Sequence, residues 1–308
     1  MKRIELIESG VVFNEEDHTY NLNGKFLSGI TGVLHSQLFK DEFDGIDEKT
    51  LKQAAEYGSA VHKSCELFDN EWVNDNTPEL ADYITLCREN NLTHEISEYT
   101  VTDGEHYASR IDKCFRTGDN TFSLADIKTY SVMNGEKLEK ARWQLSIYAY
   151  LFELQNKKAK VDCLYVIHLR NKEKRNGDRS VISKLIPVAR IPSEVCRDLL
   201  ETDLRGDQFK NPYSIPDDIK QLEAHIRELV AEKTKAETEL DLLKSEIMKR
   251  MTDDDIRQWY TETMKITRKL PSVRTSFNLA LFKQDHPGLD YSPYMKESEV
   301  KGSLLITI

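Results

Sequence analysis

Two short apolar segments of the chain each end in an aspartate, and the second also carries a lysine. Asp112 ends the first segment, and fourteen residues later Asp126 and Lys128 flank Ile127. Because residues two apart in a strand point to the same face, Asp126 and Lys128 are expected to share one site. The turn-forming residues 117–120 predict a hairpin that brings Asp112 beside Asp126. Two carboxylates next to a lysine favour Mg²⁺ or Mn²⁺ and a phosphodiester substrate.

A helix is predicted upstream, over residues 48–70. Gly58, His62 and Glu66 follow one another at intervals of one turn, along the edge of its apolar stripe. The glycine costs a helix about 1 kcal/mol relative to alanine, which predicts that another backbone approaches there. His62 has two interpretations, a ligand directed at the carboxylates or a hydrogen-bonded histidine at the edge of the core. The apolar stripe consists of Leu51, Ala54, Gly58, Val61, Cys65 and Phe68.

A second helix is predicted over residues 137–155. Gln144 and Tyr148 lie one turn apart on a face that flanks the apolar stripe, so both can contact one ligand. The alternative interpretation places this amide and this phenol at a boundary with solvent. The apolar stripe consists of Leu138, Ala141, Leu145, Ala149 and Phe152.

These motifs occur in a characteristic order. Gly-x-x-x-His lies on a helix, Asp and then Asp-x-Lys lie on two strands, and Gln-x-x-x-Tyr lies on a second helix. Over residues 10–190 this order resembles the RecB-like branch of the PD-(D/E)xK nuclease superfamily, to which many phage exonucleases belong. The resemblance implies an α/β fold with a restriction-endonuclease-like core, in which helices flank a mixed sheet.

The resemblance also implies a role for individual side chains. It makes Lys128 the catalytic lysine, and Gln144 and Tyr148 the supports of the site and of the nucleic-acid strand. Glu66 would act in catalysis through an outer-shell water or a second ion. The metal ligands that it implies are His62, Asp112, Asp126 and the carbonyl oxygen of Ile127.

The N-terminal segment supports the same resemblance. Asn23-Gly24 predicts a tight hairpin turn. The following segment 28–34 is similar to the N-terminal sequence motif of phage and mitochondrial members of the family. Two positions depart from the pattern. Ser109-Arg110 stands where many relatives have a glycine, and Asp126 stands where many have a glutamate. Neither departure removes a ligand.

The implied activity is that of a metal-dependent DNA exonuclease that uses Mg²⁺ or Mn²⁺. In a phage, such an enzyme resects DNA ends for a single-strand annealing protein, so DNA and a protein of this kind are the expected partners. Two alternatives stay open. One is an endonuclease or an RNA-acting nuclease of the same fold, and the other is an inactive nuclease-like module for DNA binding or assembly.

The charge distribution bears on DNA binding. The net charge of −10 is unfavourable, because contacts with phosphates dominate the affinity of proteins for DNA. Two segments are nevertheless basic, 168–190 and 265–274. Arg170 and Lys172 in the first segment, together with Arg110, are expected to contact the substrate. The alternative for the first segment is a solvated loop.

The composition also predicts what the protein lacks. Its five cysteines are scattered without a Cys-x-x-Cys pair, which argues against a disulfide framework and a zinc site. Some RecB-like relatives hold an iron–sulfur cluster with one early and three closely spaced late cysteines, and this chain lacks the late group. We therefore expect no cluster, and without a P-loop motif we expect no ATP. Without a run of about 18 apolar residues, we expect a cytoplasmic protein (in the host cytoplasm if phage-encoded) and no membrane partner.

The C-terminal part is expected to be an extension of the nuclease domain. The prolines near 212–216 predict a boundary between a nuclease domain, 1–210, and an extension, 211–308, that holds a long helix and a β-hairpin. A helix over 217–250 would be about 50 Å long. Its heptad pattern is compatible with a homo-oligomeric coiled coil and equally with a short or intramolecular pairing. The seam positions are Ile219, Leu222, Ile226, Leu229, Lys233, Ala236, Leu240, Leu243 and Ile247.

Overall fold

The structure is a computed structural model that describes residues 3–15, 17–40, 45–173 and 179–271, and positions 282, 284, 286, 289 and 290. The side chains of residues 172, 173, 179–181, 217, 220 and 221 are outside this description. The expected loop 174–178, and Arg274 of the second basic segment, also lie outside the described residues. The chain divides into two compact units, Met1–Pro212 and Tyr213–Ile308.

An eight-stranded sheet of mixed direction forms the centre of the described first unit. Its strands lie in the order β1, β2, β3, β5, β6, β7, β10, and β4 pairs with β5. The strands are β1 (Val12–Asn14), β2 (Thr19–Leu22), β3 (Lys25–Gly29), β4 (His94–Thr102), β5 (Tyr107–Arg116), β6 (Thr121–Lys128), β7 (Lys160–His168) and β10 (Lys184–Val188); β8 (Asn171–Glu173) and β9 (Arg179–Val181) form a separate pair. The hairpin predicted at 117–120 is confirmed as the antiparallel connection of β5 and β6.

The helices of this unit pack against the two faces of the sheet. They are α1 (Ile30–Gln37), α2 (Glu48–Glu71), α3 (Pro78–Glu89), α4 (Gly135–Gln155) and α5 (Ser193–Leu204). The larger core cluster joins α1, α4 and α5 to the sheet, and a smaller one joins α2 and α3 to it. Leu124 packs in the larger cluster and the next residue, Ala125, in the smaller one, as alternation along β6 requires. An α/β architecture is therefore confirmed.

The helix predicted over 48–70 is confirmed as α2, but its apolar stripe is buried only in the second half. Val61 and Cys65 are buried, whereas Ala54 is exposed. Gly58 permits a close approach, since a Cβ there would lie 3.4 Å from the Thr129 Oγ1 atom. The approaching group is thus a side chain just after β6, and the prediction of a backbone contact is wrong.

The helix predicted over 137–155 is confirmed as α4, which is buried on most sides. Trp143, Ile147 and Leu151 are buried in addition to most of the predicted stripe, because the helix lies between the sheet and α1 and α5. Gln144 and Tyr148 are buried as well. The alternative that placed these two side chains at a solvent boundary is therefore wrong.

A buried ion pair connects α2 to the sheet. The Lys113 Nζ atom lies 2.6 Å from Asp69 Oδ2, and the two side chains are only 1% and 6% exposed. The same carboxylate oxygen accepts hydrogen bonds from Tyr83 on α3 and from Ser97 on β4. One carboxylate thus connects two helices and two strands.

The second unit contains a long helix and a β-hairpin. The helix α6 spans Asp217–Asp253, and the hairpin consists of β11 (Gln258–Tyr260) and β12 (Lys265–Thr267). Residues 291–308 lie outside the described residues. Among the described helices of the chain, none has both the length and the apolar character needed to cross a bilayer.

The buried ion pair predicts a large stability effect. Lys113→Met is expected to lower the free energy of unfolding by about 3 kcal/mol or more, because it leaves the Asp69 charge buried without its cationic partner. Urea unfolding measures this change. Lys63→Met is the control, since Lys63 is an exposed lysine of α2 paired with Glu66, and should change stability by less than about 1 kcal/mol. Equal urea midpoints for the two variants would contradict the prediction.

Candidate metal centre

Strands β3 and β6 pair with the same edge of β5, and the pairing along this edge has a gap in its middle. β3 pairs with residues 107–108 and β6 with residues 113–116, so residues 109–112 have no strand partner on this edge of the described sheet. Beyond the last β5–β6 pair, the Asp112 Oδ2 atom accepts a hydrogen bond from the backbone N–H of Ile127 at 2.7 Å. The backbone pairing of the two strands therefore ends where each carries its aspartate, and the Asp112 side chain bridges this gap in pairing.

Three side chains from three elements converge at this gap in pairing. His62 on α2, Glu98 on β4 and Asp112 on β5 place potential ligand atoms within 4.8 Å of one another. The His62 Nδ1 atom lies 3.5 Å from Asp112 Oδ2, and its Nε2 atom lies 3.0 Å from the Ile127 carbonyl oxygen. An imidazole and two carboxylates in this arrangement fit a divalent cation with a preference for oxygen ligands. Of the ligands that the sequence predicts, the cluster brings together His62, Asp112 and the carbonyl of Ile127.

Asp126 and Lys128 share one site, as their spacing predicts. The Lys128 Nζ atom lies 2.7 Å from Asp126 Oδ2, and both side chains are largely buried. Asp126 Oδ2 accepts no well-directed hydrogen bond, so the contact is an ion pair. Asp126 does not belong to the 4.8 Å cluster of the described residues. In this arrangement its carboxylate is directed at the lysine.

Gln144 and Tyr148 hold the lysine from α4. Lys128 Nζ donates to Gln144 Oε1 at 3.2 Å, and Gln144 Nε2 donates to the Tyr148 hydroxyl at 2.7 Å. Ser109 of the unpaired β5 segment donates to the same hydroxyl at 3.0 Å. This series of hydrogen bonds fixes the position of the Lys128 ammonium group relative to β5. It agrees with the predicted supporting role of the Gln-x-x-x-Tyr motif.

Burial and mutual repulsion shift the pKa values of the acidic groups. Burial, and then the nearby Asp126 carboxylate, raise the pKa of Asp112 to about 7. Burial, and then Asp112, raise the pKa of Glu98, whereas burial lowers the pKa of His62. All three shifts disfavour charge in the cluster. Because a divalent cation stabilises ionised carboxylates and a neutral imidazole, its binding is expected to release protons.

The pKa of Lys128 shifts in the direction that favours its charged form. Burial lowers the pKa of a lysine, but here the Asp126 carboxylate, Tyr130 and Asp112 together outweigh that effect and raise the pKa of Lys128. The ammonium group is therefore charged at neutral pH. A charged ammonium group can orient a reactant but cannot take up a proton.

Glu98 is the cluster member that sequence reasoning missed. It lies opposite Asp112, between the pairs Ser97↔Lys113 and Tyr99↔Ile111, and its φ of 54° is in the left-handed region. The residues on its two sides differ in environment, since Ser97 contacts Asp69 whereas Tyr99 packs in the larger core. Glu98 lies fourteen residues before Asp112, in a strand of mixed polarity, so the sequence pattern around it gave no clear signal. The left-handed backbone conformation at Glu98, which directs its side chain toward His62 and Asp112, could not be read from the sequence.

Other predicted residues lie around the cluster. Arg110 Nε donates to Glu98 Oε2 at 2.7 Å, so Arg110 neutralises a member of the cluster. Glu66 pairs with Lys63 at 2.9 Å and is not a member of the cluster in the described structure. Arg170 lies near the end of β6, where its Nη1 atom donates to the Thr129 carbonyl at 3.4 Å. The side chain of Lys172 lies outside the description, and substrate contacts of all these residues stay predictions.

Comparison with known proteins gives little information. No family model matches the sequence, and no curated protein matches it. A solved structure titled "Crystal structure of SSO0001" is similar with a TM-score of 0.32 and 14% identity, over 60% of this chain and 78% of that chain. A similarity this low supports no inference about function.

The position of Glu98 predicts a role in metal binding. Glu98→Gln is expected to weaken Mn²⁺ binding about 10-fold or more, because it replaces a charged oxygen ligand by a neutral amide. Isothermal titration calorimetry measures the affinity. Glu15→Gln is the matched control, since exposed Glu15 also contacts Arg110, at 3.3 Å, but lies outside the cluster. Equal Mn²⁺ affinity of the two variants would show that Glu98 is not a ligand.

Proposed function

We propose that this protein is a metal-dependent nuclease that hydrolyses DNA phosphodiester bonds, with a core of the PD-(D/E)xK type. The observation that carries the proposal is the arrangement of groups where the pairing of β5 and β6 ends. The cluster of His62, Glu98 and Asp112 lies there together with the ion pair of Asp126 and Lys128. Metal ligands beside a charged lysine can bind a phosphodiester and activate water for its hydrolysis.

The residues present fit Mg²⁺ or Mn²⁺. His62, Glu98, Asp112 and the Ile127 carbonyl would hold the ion, and the buried Asp126 Oδ2, without a well-directed hydrogen bond, is a further oxygen donor nearby. When bound, the ion supplies positive charge at the scissile phosphate and lowers the pKa of water. The five cysteines lie on five different elements, so we propose no iron–sulfur cluster.

The groups of the chain itself position the reactants. The Lys128 ammonium, held by Asp126 and Gln144, can donate a hydrogen bond to a nucleophilic water or to a phosphate oxygen. Tyr148 and Ser109 fix Gln144 and so limit the movement of the lysine. A positioned donor in a buried site stabilises developing negative charge more than the same donor would in water.

The substrate approaches a mostly acidic protein, so local cations are important. Arg170 stacks over the Tyr57 ring at 4.7 Å and lies beside Thr129, one residue after the catalytic lysine. This position suits a contact with a phosphate that flanks the scissile bond. We propose exonuclease action on DNA ends, within a phage-type recombination system in the cytoplasm and in association with a single-strand annealing protein. The support for this setting is the motif order alone.

The proposal predicts the loss of cleavage in one variant. Lys128→Ala is expected to lower the cleavage rate about 100-fold or more, because it removes a positioned charged donor from a buried site. The substrates are end-labelled linear DNA, circular DNA and RNA, each incubated with Mg²⁺, with Mn²⁺ or with a chelator. Degradation of linear DNA alone, only with metal, identifies an exodeoxyribonuclease.

Lys160→Ala is the matched control. Lys160 is an exposed lysine at the far end of the neighbouring strand β7, where it pairs with Thr121, whereas Lys128 pairs with His168 at the near end. The control variant is expected to cleave at the wild-type rate. Cleavage by Lys128→Ala at that same rate would show that the site is wrongly assigned. A wild-type protein that binds DNA without cleaving any substrate would favour the inactive binding module.

A further inference from the structure

Within the part of the chain that the structure describes, the helix α6 of the second unit presents a partly exposed apolar stripe. It spans Asp217–Asp253, 37 residues, which corresponds to about 55 Å. Leu222, Leu229 and Leu240 of the predicted seam are each 50% exposed. A long amphipathic helix normally buries such a stripe against another element or another chain. The stripe therefore requires an occupant.

We propose that α6 pairs with α6 of a second copy of this chain in antiparallel orientation, with Lys233 of each copy opposite Ala236 of the other. The inference does not depend on the proposed nuclease activity. It follows from the sequence of the seam, in which reversing one copy places each Lys233 opposite Ala236 and not opposite the other Lys233.

The apolar positions match in this register. Leu222 of one copy faces Ile247 of the second copy, Ile226 faces Leu243, and Leu229 faces Leu240, and the two-fold symmetry repeats each contact. The two residues that interrupt the seam face each other at its centre. The small Ala236 leaves room for the Lys233 side chain, whose ammonium lies 3.7 Å from Glu237 of its own helix.

A parallel pairing would be less favourable at the same centre. It would place Lys233 of one copy against Lys233 of the other inside the seam, with two like charges close together in a partly desolvated layer. The central lysine therefore distinguishes the two orientations.

Two flanking contacts fit the antiparallel orientation. In the antiparallel register, Glu223 approaches Lys244 of the second copy, and His225 approaches Glu246. The ends of the seam do not distinguish the orientations, because Asp218 approaches Asp253 in the antiparallel pair and Glu223 in a parallel pair.

The remaining flanking contacts include repulsive pairs in both orientations. Glu232 and Glu239 approach each other in the antiparallel pair, beside the two central Lys233 ammonium groups, which compensate them. A parallel pair would gain Glu239 near Lys244 but would set Glu232 against Glu237. The flanking charges are therefore close to balanced between the two orientations, and the central lysine layer favours the antiparallel one.

Cysteine cross-linking tests the orientation on the full-length chain. Leu222→Cys and Ile247→Cys are made separately in a Cys163→Ser background, because Cys163 is the exposed native thiol among the described cysteines. A mixture of the two variants, treated with a short bifunctional maleimide, is expected to give a cross-linked dimer, and each variant alone is expected to give none. In the antiparallel register, two copies of residue 222 are separated by 25 residues, about 37 Å along the helix. Efficient cross-linking of Leu222→Cys alone would show a parallel pair and overturn the proposal.

Sedimentation velocity tests the association itself. The full-length protein is expected to be a dimer, and Leu229→Glu is expected to raise its dissociation constant about 100-fold or more, because it buries a charge opposite Leu240. Leu242→Glu is the matched control, since Leu242 is an exposed leucine of the same helix outside the seam, and this variant should remain dimeric. A monomeric wild-type protein, or a Leu229→Glu variant that remains a dimer, would overturn the proposal.

Discussion

The buried contact between Lys113 and Asp69 determines where the candidate metal centre lies. Asp69 is on the same helix as His62, and Lys113 directly follows Asp112 on β5. Asp69 also accepts a hydrogen bond from Ser97, the residue before Glu98. The Asp69 carboxylate therefore contacts or belongs to each of the three elements that carry a member of the cluster. A contact of two charges in a dry environment depends strongly on distance. It therefore fixes the spacing of the helix and the two strands whose other residues form the cluster.

The parts of this arrangement that depend on local periodicity could be predicted from the sequence. The spacing Asp126-x-Lys128 correctly predicted a shared site, because strand alternation is regular along β6. The helical spacing of Gln144 and Tyr148 predicted that they lie one turn apart on one face, and in the structure Gln144 contacts Lys128 and donates to Tyr148. In each case the relevant geometry is set within a few residues, and tertiary contacts preserve it.

The parts that depend on how elements meet could not be predicted. The resemblance made Asp126 a metal ligand, but in the structure its carboxylate is directed at Lys128 in a buried ion pair. The resemblance also gave Glu66 an outer-shell role, whereas in the structure Glu66 pairs with the exposed Lys63. Ile111 and Lys113 should share a face under strict alternation, yet Ile111 packs in the larger core and Lys113 bonds to α2. Opposite this change lies Glu98, with a backbone conformation that no local pattern encodes.

The conformation of Glu98 implies a conflict between stability and function at one position. A left-handed backbone at a residue with a side chain costs on the order of 1 kcal/mol, and glycine would remove that cost. Glycine would also remove the carboxylate that completes the cluster. Selection for a more stable protein and selection for a complete cluster thus favour different residues at position 98. Libraries screened for thermostability alone would be expected to enrich glycine there, and this position should therefore be held constant when the protein is engineered for stability.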